Sequence, residues 1–390
     1  MEKLIRDIFF KKFSVEPIIV RSPGRFNIIG EHTDYNEGFV LPAAIDKFTY
    51  VGVSKRDDDK IMLYSRNFDE DLESNINTVS KNDTRWTNYI LGVVDQLQRH
   101  GHKPGGFNLV FDGNIPVGAG LSSSAGLECA SIFALNELFA LNVDRLSLVK
   151  MAQLAEHTFV GVKCGIMDQF ASMFGKKGHA IKLDCRSLEF EYVPVQLEGY
   201  KIVLLNTNVK HELVSSGYNT RRAQCEQGVA WVKEHIPAVK TLRDVTIEML
   251  DKYVLKKDPF IYKRCRYVIE ENARLLRACE DLKTGNLKAL GQKIFETHRG
   301  LSEEYEVSCK ELDFLVNAVK SNPAVLGARM VGGGFGGCTI NIVKEEAVDN
   351  LIEQLTSIYK KEMGLDLSTY IAGIEQGTEL ISDKSHVTIV

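Results

Sequence analysis

The stretch Pro116–Gly126 reads PVGAGLSSSAG, and the fold is read outward from it. Upstream, Phe107–Phe111 is a short apolar run of strand type; downstream, Leu127, Ala130, Ala134 and Leu138 recur at the spacing of one buried helix face. A strand therefore runs through a small-residue turn into a helix. Such a turn lets the backbone curl around an anion, with free N–H groups and the positive end of the helix dipole facing it. A flexible Gly/Ser loop with serine as a plain N-cap reads the same residues equally well.

A second helix follows in Leu148, Met151, Ala155 and Phe159, and MEKLIRDIFFKKF at the N-terminus is amphipathic rather than a secretory segment. Strands are expected at Ile18–Val20, Lys47–Lys55, Ile61–Tyr64, Phe107–Phe111, His179–Leu183, Lys201–Leu205, Cys338–Val343 and Thr369–Ile374. A long polar helical region lies between, from about Tyr218 to His298. Strand clusters interrupted by helical clusters, with no regular βαβ beat, indicate an α+β fold. The length of 390 residues suits two or three domains, and turn chemistry in VPVQLEGYK places a boundary near 195–200, giving domains 1–197 and 198–390.

Composition is that of an ordinary globular protein, with 44% apolar and 26% charged residues. A net charge of -4 provides no basic field for nucleic acid or anionic lipid. Apolar runs such as Ile202–Leu205 fall far short of the roughly eighteen residues of a membrane span, so no membrane partner and a cytoplasmic location are expected. The eight cysteines form no C-x-x-C and no zinc spacing, which points to free, mostly buried thiols.

Three further clusters carry chemistry. RSPGRFNIIGEHTDYN at Arg21–Asn36 crowds Arg25, Glu31, His32, Asp34 and Tyr35 onto a Gly/Pro-punctuated loop suited to a polyhydroxylated ligand, although a solvated charged loop fits too. In CGIMDQFA, Asp168 sits in a partly apolar setting at a helix start, as a general base or a dipole-complementing acid. Glu156 ends the preceding helix, where a carboxylate is unfavourable and hints at a cation. Gly332–Gly337, GGGFGG, satisfies G-x-G-x-x-G but is followed by the strand pattern CTINIV, so it reads as a tight turn between strands and not a dinucleotide fingerprint. No Walker A loop and no H-R-D or D-F-G occurs.

Together and in this order, GRFNIIGEHTDYN, PVGAGLSSSAG and GGGFGGC resemble the galactokinase family, within the superfamily that also holds homoserine, mevalonate and phosphomevalonate kinases. The resemblance spans essentially the whole chain. It implies a ribosomal S5 domain 2-like N-terminal domain, a ferredoxin-like C-terminal domain and an active site between them. It also implies ATP-dependent phosphorylation of the anomeric hydroxyl of α-D-galactose, the first committed step of the Leloir pathway, with Mg²⁺.

By the same resemblance, Glu31, His32, Thr33, Asp34, Gly165, Asp168 and Tyr218 hold the sugar, and Arg25 stands beside the transferred phosphoryl group. Asp168 faces the anomeric hydroxyl. The ATP phosphates fall to Gly118, Ala119, Gly120, Leu121, Ser122, Ser123 and Ser124, the adenine side to Trp86, Tyr89 and Ser65, and the metal to Ser124 and Glu156. Ser22, Phe26 and Gly126 depart from common family residues, and Phe26 leaves fine sugar selectivity open. An N-acetylgalactosamine kinase and a non-catalytic galactose sensor are the rival readings. A monomer is expected, with a homo-oligomer left open.

Overall fold

The computed structural model describes residues 1–209 and 214–381; the side chains of 214–216 are not among those described. The first half of the chain forms α1 (Glu2–Phe13), β1 (Ile18–Asn27), β2 (Phe39–Val40), β3 (Pro42–Lys55), β4 (Lys60–Ser65), β5 (Glu70–Asn75), α2 (Thr87–Arg99), β6 (Phe107–Gly113), α3 (Ser123–Phe139), α4 (Arg145–Ala155), α5 (Met167–Phe174), β7 (His179–Asp184) and β8 (Phe190–Pro194). The second forms β9 (Tyr200–Asn206), α6 (Val214–Lys233), α7 (Ile247–Tyr253), α8 (Pro259–Lys283), α9 (Leu287–Arg299), α10 (Lys310–Val319), β10 (Val325–Met330), β11 (Cys338–Lys344), α11 (Val348–Met363), β12 (Ser368–Ala372) and β13 (Glu379–Ile381).

A six-stranded sheet runs in the order β13-β1-β3-β6-β4-β5, with β4 parallel to β6 and the other pairs antiparallel. Strand alternation sorts its side chains. Val20, Val51, Val53, Phe107, Leu109 and Phe111 join the core shared with α2 to α5, whereas Ile19 and Val110 meet Ile5 and Phe9 of α1. Gly52 lies under α1, where a Cβ would come 2.9 Å from Ile5. Each large apolar side chain so buried contributes about 1.5–3 kcal/mol.

The four-stranded sheet β10-β11-β9-β12 carries α10 and α11 on one face, packed on Val203, Leu205 and Val343. Its other face shares one core with the first half: Ile202, Leu204, Ile340 and Ile342 pack with Phe26, Ile28, Ile29 and Leu41, and with Leu275, Leu290 and Ile294 of α8 and α9. The residues beneath the Gly30–Asn36 loop are thus supplied by both halves of the chain.

Several elements depart from expectation. The segment read as a loop from Arg21 is strand as far as Asn27, because a register shift between Pro23 and Arg25 absorbs the proline that cannot donate to the ladder. α2 was hidden by its nearly continuous apolar run, and β5 by its polar composition, which suits an exposed sheet edge. β13 brings the chain back to pair with β1. The hairpin β10–β11 around the Gly-rich turn is as expected, and all eight cysteines are free. No helix among the described residues is long and apolar enough to cross a membrane.

α9 rides directly on the backbone of β10: a Cβ on Gly291 would lie 2.0 Å from the Leu326 carbonyl oxygen, and one on Gly327 would lie 2.6 Å from that of Gly291. Gly291→Val must therefore separate helix from sheet, at a cost of about 1–3 kcal/mol or more. Urea unfolding should show a lower midpoint with an unchanged slope; an unmoved midpoint would mean this close approach is not required.

Candidate active site

A cleft of about 1480 Å³ is walled by the end of β1, the turn before α3, the start of α2, the segment around Cys164–Asp168 and the Gly-rich turn after β10. At its centre Arg25 donates from both arms of its guanidinium to Asp168, Nε to Oδ1 and a terminal nitrogen to Oδ2, each at 2.7 Å. Its remaining terminal nitrogen donates to the Gly120 carbonyl oxygen at 2.6 Å. The Ser122 hydroxyl reaches the same carboxylate oxygen, Oδ2, at 2.5 Å. Asp168 is thus not in an apolar setting as its neighbours suggested. It lies at the start of α5 with a guanidinium and a hydroxyl against it, and its side chain retains 25% exposure toward the cleft.

The turn before α3 is built for close approach. Gly118 and Gly120 have φ of 74° and 75°, and Ser122 adopts φ 59° without capping the helix by its side chain. The plain N-cap reading therefore fails: the Ser122 hydroxyl is spent on Asp168. Gly24 of β1 presses on this turn, where a Cβ would stand 2.5 Å from the Leu121 carbonyl oxygen, and the Arg25 N–H donates to that oxygen at 3.1 Å. Gly118, Gly120, Leu121, Ser122, Ser123 and Ser124 line the cleft, with the N-terminus of α3 facing into it, whereas Ala119 is buried behind.

Opposite lies the loop after β1. Asp34 is packed so tightly on Gly165 that a Cβ there would fall 1.8 Å from Oδ2, so only glycine fits. Burial first, and the Asp168 charge second, push the Asp34 carboxyl up to about 7. His32, at φ 64°, shares a hydrogen bond of 2.8 Å between Nδ1 and the Tyr35 hydroxyl, and burial pulls its imidazole down to about 3, so it is neutral. Tyr218 closes this side, its ring 5.3 Å from that of His32. Glu31 lines the cleft, but Thr33 does not: it is buried, and its hydroxyl donates to the carbonyl oxygens of Gly30 and Phe39, which makes it a support of the loop.

Toward the far end, Trp86 and Tyr89 line the cleft, with Phe68 stacked on Trp86 at 6.5 Å between ring centroids. Ser65 is fully buried away from it, and its hydroxyl accepts from the Phe68 N–H at 3.3 Å. Glu156 begins a π-helical turn after α4 and, like Ser124, borders the cleft. Burial and then the Asp168 charge raise its carboxyl to about 7.

Behind it sits Glu128, which sequence reading passed over. It is fully buried in α3, raised well above the usual carboxylate range by burial and then by the Glu156 charge, and one of its oxygens lacks a hydrogen-bond partner. Gln169 donates to Oε2 of both carboxyls, at 2.9 Å to Glu128 and 2.8 Å to Glu156. The available signal was a charged residue four positions after Ser124, within the mostly apolar stretch Leu127–Leu135 of the helix. Among the described residues no three His, Cys, Asp or Glu side chains form a metal cage by themselves. Two hard oxygen donors, Ser124 and Glu156, beside the N-terminus of α3 and against crowded carboxylates fit a cation such as Mg²⁺ that keeps water and phosphate ligands.

Residues 88–176 match the family described as GHMP kinases N terminal domain, and residues 278–361 match GHMP kinases C terminal. The fold is that of this class of small-molecule kinase. Residues 7–55 match the galactokinase galactose-binding signature. The chain is 45% identical over 349 residues to the galactokinase of Thermotoga maritima, across 89% of this chain and 95% of that protein. It is 43% identical over 367 residues to that of Clostridium acetobutylicum, across 93% and 94%. The crystal structure of Lactococcus lactis galactokinase complexed with galactose is similar at a TM-score of 0.94 and 38% identity, covering 97% of this chain and 100% of that one. Methanococcus jannaschii mevalonate kinase, at 18% identity, a TM-score of 0.63 and coverage of 93% and 99%, shares the fold. The chain belongs to the galactokinase family.

Because folded Asp34 holds its proton up to about pH 7, well above its ordinary value of 3.8, its contribution to stability is present below about pH 4 and is lost as pH rises toward 7. A sugar hydroxyl accepted by the carboxylate reverses the preference. Galactose affinity should therefore rise as pH increases through about 7, with proton release detectable by calorimetry in buffers of different ionisation enthalpy. Asp34→Asn should abolish the release. A pH-independent affinity in the unaltered protein would exclude ionised Asp34 as the acceptor.

Proposed function

We infer that this protein is a galactokinase: it transfers phosphate from ATP to galactose, giving galactose 1-phosphate. One observation carries the reading. In a chain that matches the galactose-binding signature, the Arg25–Asp168 pair joins strand β1 of that signature to the turn before α3 and to α5. We further propose that the acceptor is the anomeric hydroxyl of α-D-galactose and the step the first of the Leloir pathway. In this reading residues 1–197 are the S5-like domain that binds sugar and phosphates, and 198–390 carry the ferredoxin-like domain, except that β13 returns to pair with β1 in the first sheet.

Phosphoryl transfer is chiefly positioning and charge stabilisation. Glu31, His32, Asp34, Gly165 and Tyr218 enclose the sugar, and the Ser122–Ser124 end of α3 holds the triphosphate through backbone N–H groups. Ser124 and Glu156 would hold Mg²⁺, which when bound offsets negative charge on the phosphoryl oxygens. Trp86 and Tyr89 take the adenine side.

Asp168 has about four acceptor sites on its two oxygens, of which Arg25 and Ser122 occupy three. The remaining one, on Oδ1, accepts the anomeric hydroxyl hydrogen and directs that oxygen toward the phosphorus. Arg25 fixes the orientation of the carboxylate through two hydrogen bonds and offsets the charge of the transferred group. Phe26 lies fully buried in the core behind the loop, so its larger ring touches selectivity only through packing.

A panel of sugars with ATP, scored by ADP release and by phosphorus NMR of the product, tests the function. Galactose should be phosphorylated at C1. Binding of galactose without ADP release would indicate a sensor, and faster turnover of N-acetylgalactosamine would indicate the other kinase. Asp168→Asn should lower turnover about 10²- to 10⁴-fold with ATP affinity little changed. A folded variant keeping more than about a tenth of normal turnover would remove Asp168 from the mechanism. Ser124→Ala and Glu156→Ala should each raise the Mg²⁺ concentration for half-maximal nucleotide binding; unchanged magnesium curves would reject them as ligands.

A further inference from the structure

Arg329 is fully buried, and it lies on β10, outside the segments that carry the sugar and phosphate sites. A desolvated guanidinium is costly unless every donor finds an acceptor. Here the acceptors belong largely to the loop that follows β1. Nε donates to the Ile28 carbonyl oxygen at 2.9 Å and one terminal nitrogen to that of Asn27, while the other terminal nitrogen donates to Glu31 Oε1 at 3.1 Å and to the Met330 carbonyl oxygen. The Gly332 N–H donates to the same oxygen of Glu31 at 2.9 Å. Tyr267, from α8, donates its hydroxyl to the Glu31 carbonyl oxygen at 3.2 Å.

The loop needs such fixing. It passes through left-handed backbone at Gly30, φ 94°, and again at His32, φ 64°, so small rotations at its base swing the Glu31 side chain. Contacts at Asn27 and Ile28 set the base, the contact at Oε1 sets the carboxylate, and among the described residues no hydrogen bond takes Oε2, which leaves it to a ligand hydroxyl. A planar fork reaches all of these at once, which the point charge of a lysine cannot.

We propose that Arg329, supported by Tyr267, is a positioning residue for sugar recognition, acting from the second half of the chain through Glu31. The proposal rests on Glu31 as a sugar-binding residue. Galactose and ADP affinities of the full chain, measured by calorimetry for Glu31→Gln, Arg329→Lys, their double variant and Tyr267→Phe, test it, with a thermal melt of each. Arg329→Lys should weaken galactose at least tenfold and leave ADP within twofold. In the Glu31→Gln background the same change should cost less than threefold, since the group it acts through has already been altered. Tyr267→Phe should weaken galactose two- to fivefold with ADP unmoved.

The proposal is overturned if folded Arg329→Lys binds galactose normally, if its loss persists in full beside Glu31→Gln, or if ADP weakens equally. Should Arg329→Lys not fold, unchanged galactose affinity in Tyr267→Phe overturns it. If Glu31→Gln alone leaves galactose affinity intact, the sugar role of Glu31 fails and the proposal with it; if Glu31→Gln weakens binding and Arg329→Lys does not, only the proposal fails.

Discussion

The site depends on one ion pair, Arg25 with Asp168, joined by two hydrogen bonds of 2.7 Å between residues 143 positions apart. Arg25 is almost wholly buried, so its charge requires this partner; removing one side of such a pair costs up to about 3–5 kcal/mol. The same guanidinium grips the Gly120 carbonyl oxygen, and the same carboxylate takes the Ser122 hydroxyl. Strand β1, the turn before α3 and helix α5 are thereby locked at a single point, and the loop after β1 and the turn before α3 acquire a fixed separation.

Around that point the structure approaches backbone to backbone. A Cβ on Gly332 would come 3.1 Å from the Gly120 carbonyl oxygen, and one on Gly337 would come 3.1 Å from that of Ala119. The Gly-rich turn after β10 therefore rests directly on the turn before α3, which is why its glycines belong to packing between the halves and not to a dinucleotide site. Acid crowds the cleft as well. Asp34 and Glu156 are both raised to about 7, each by burial first and by Asp168 next, which makes the cleft receptive to hydroxyl donors and to a cation.

Local pattern made much of this legible. The strand, small-residue turn and helix around Pro116–Gly126 follow from periodicity and glycine placement, and Asp168 at a helix start follows from its neighbours. The contacts that organise the site did not. The pairing of Arg25 with Asp168 joins distant residues, and no spacing in the sequence encodes it. Glu128 and Arg329 are in the sequence only charges among mostly apolar neighbours and drew no reading, because the burial that gives them meaning comes from the packed fold. Thr33 and Ser65 show the reverse error: motif membership suggested ligand contact, yet their hydroxyls hold the loops in place. The first strand was cut short because proline and glycine signal a loop, whereas a register shift carries β1 past both.

Single-turnover transfer to galactose, followed in Arg25→Lys, Asp168→Asn and the double variant with nucleotide and sugar saturating, tests whether the pair acts as one unit. Residues working as a unit are strongly non-additive: the double variant should transfer phosphate no more slowly than the slower single variant, within about threefold. If instead the two losses multiply, Arg25 and Asp168 contribute separately, and the ion pair is not the constraint on which the site is built.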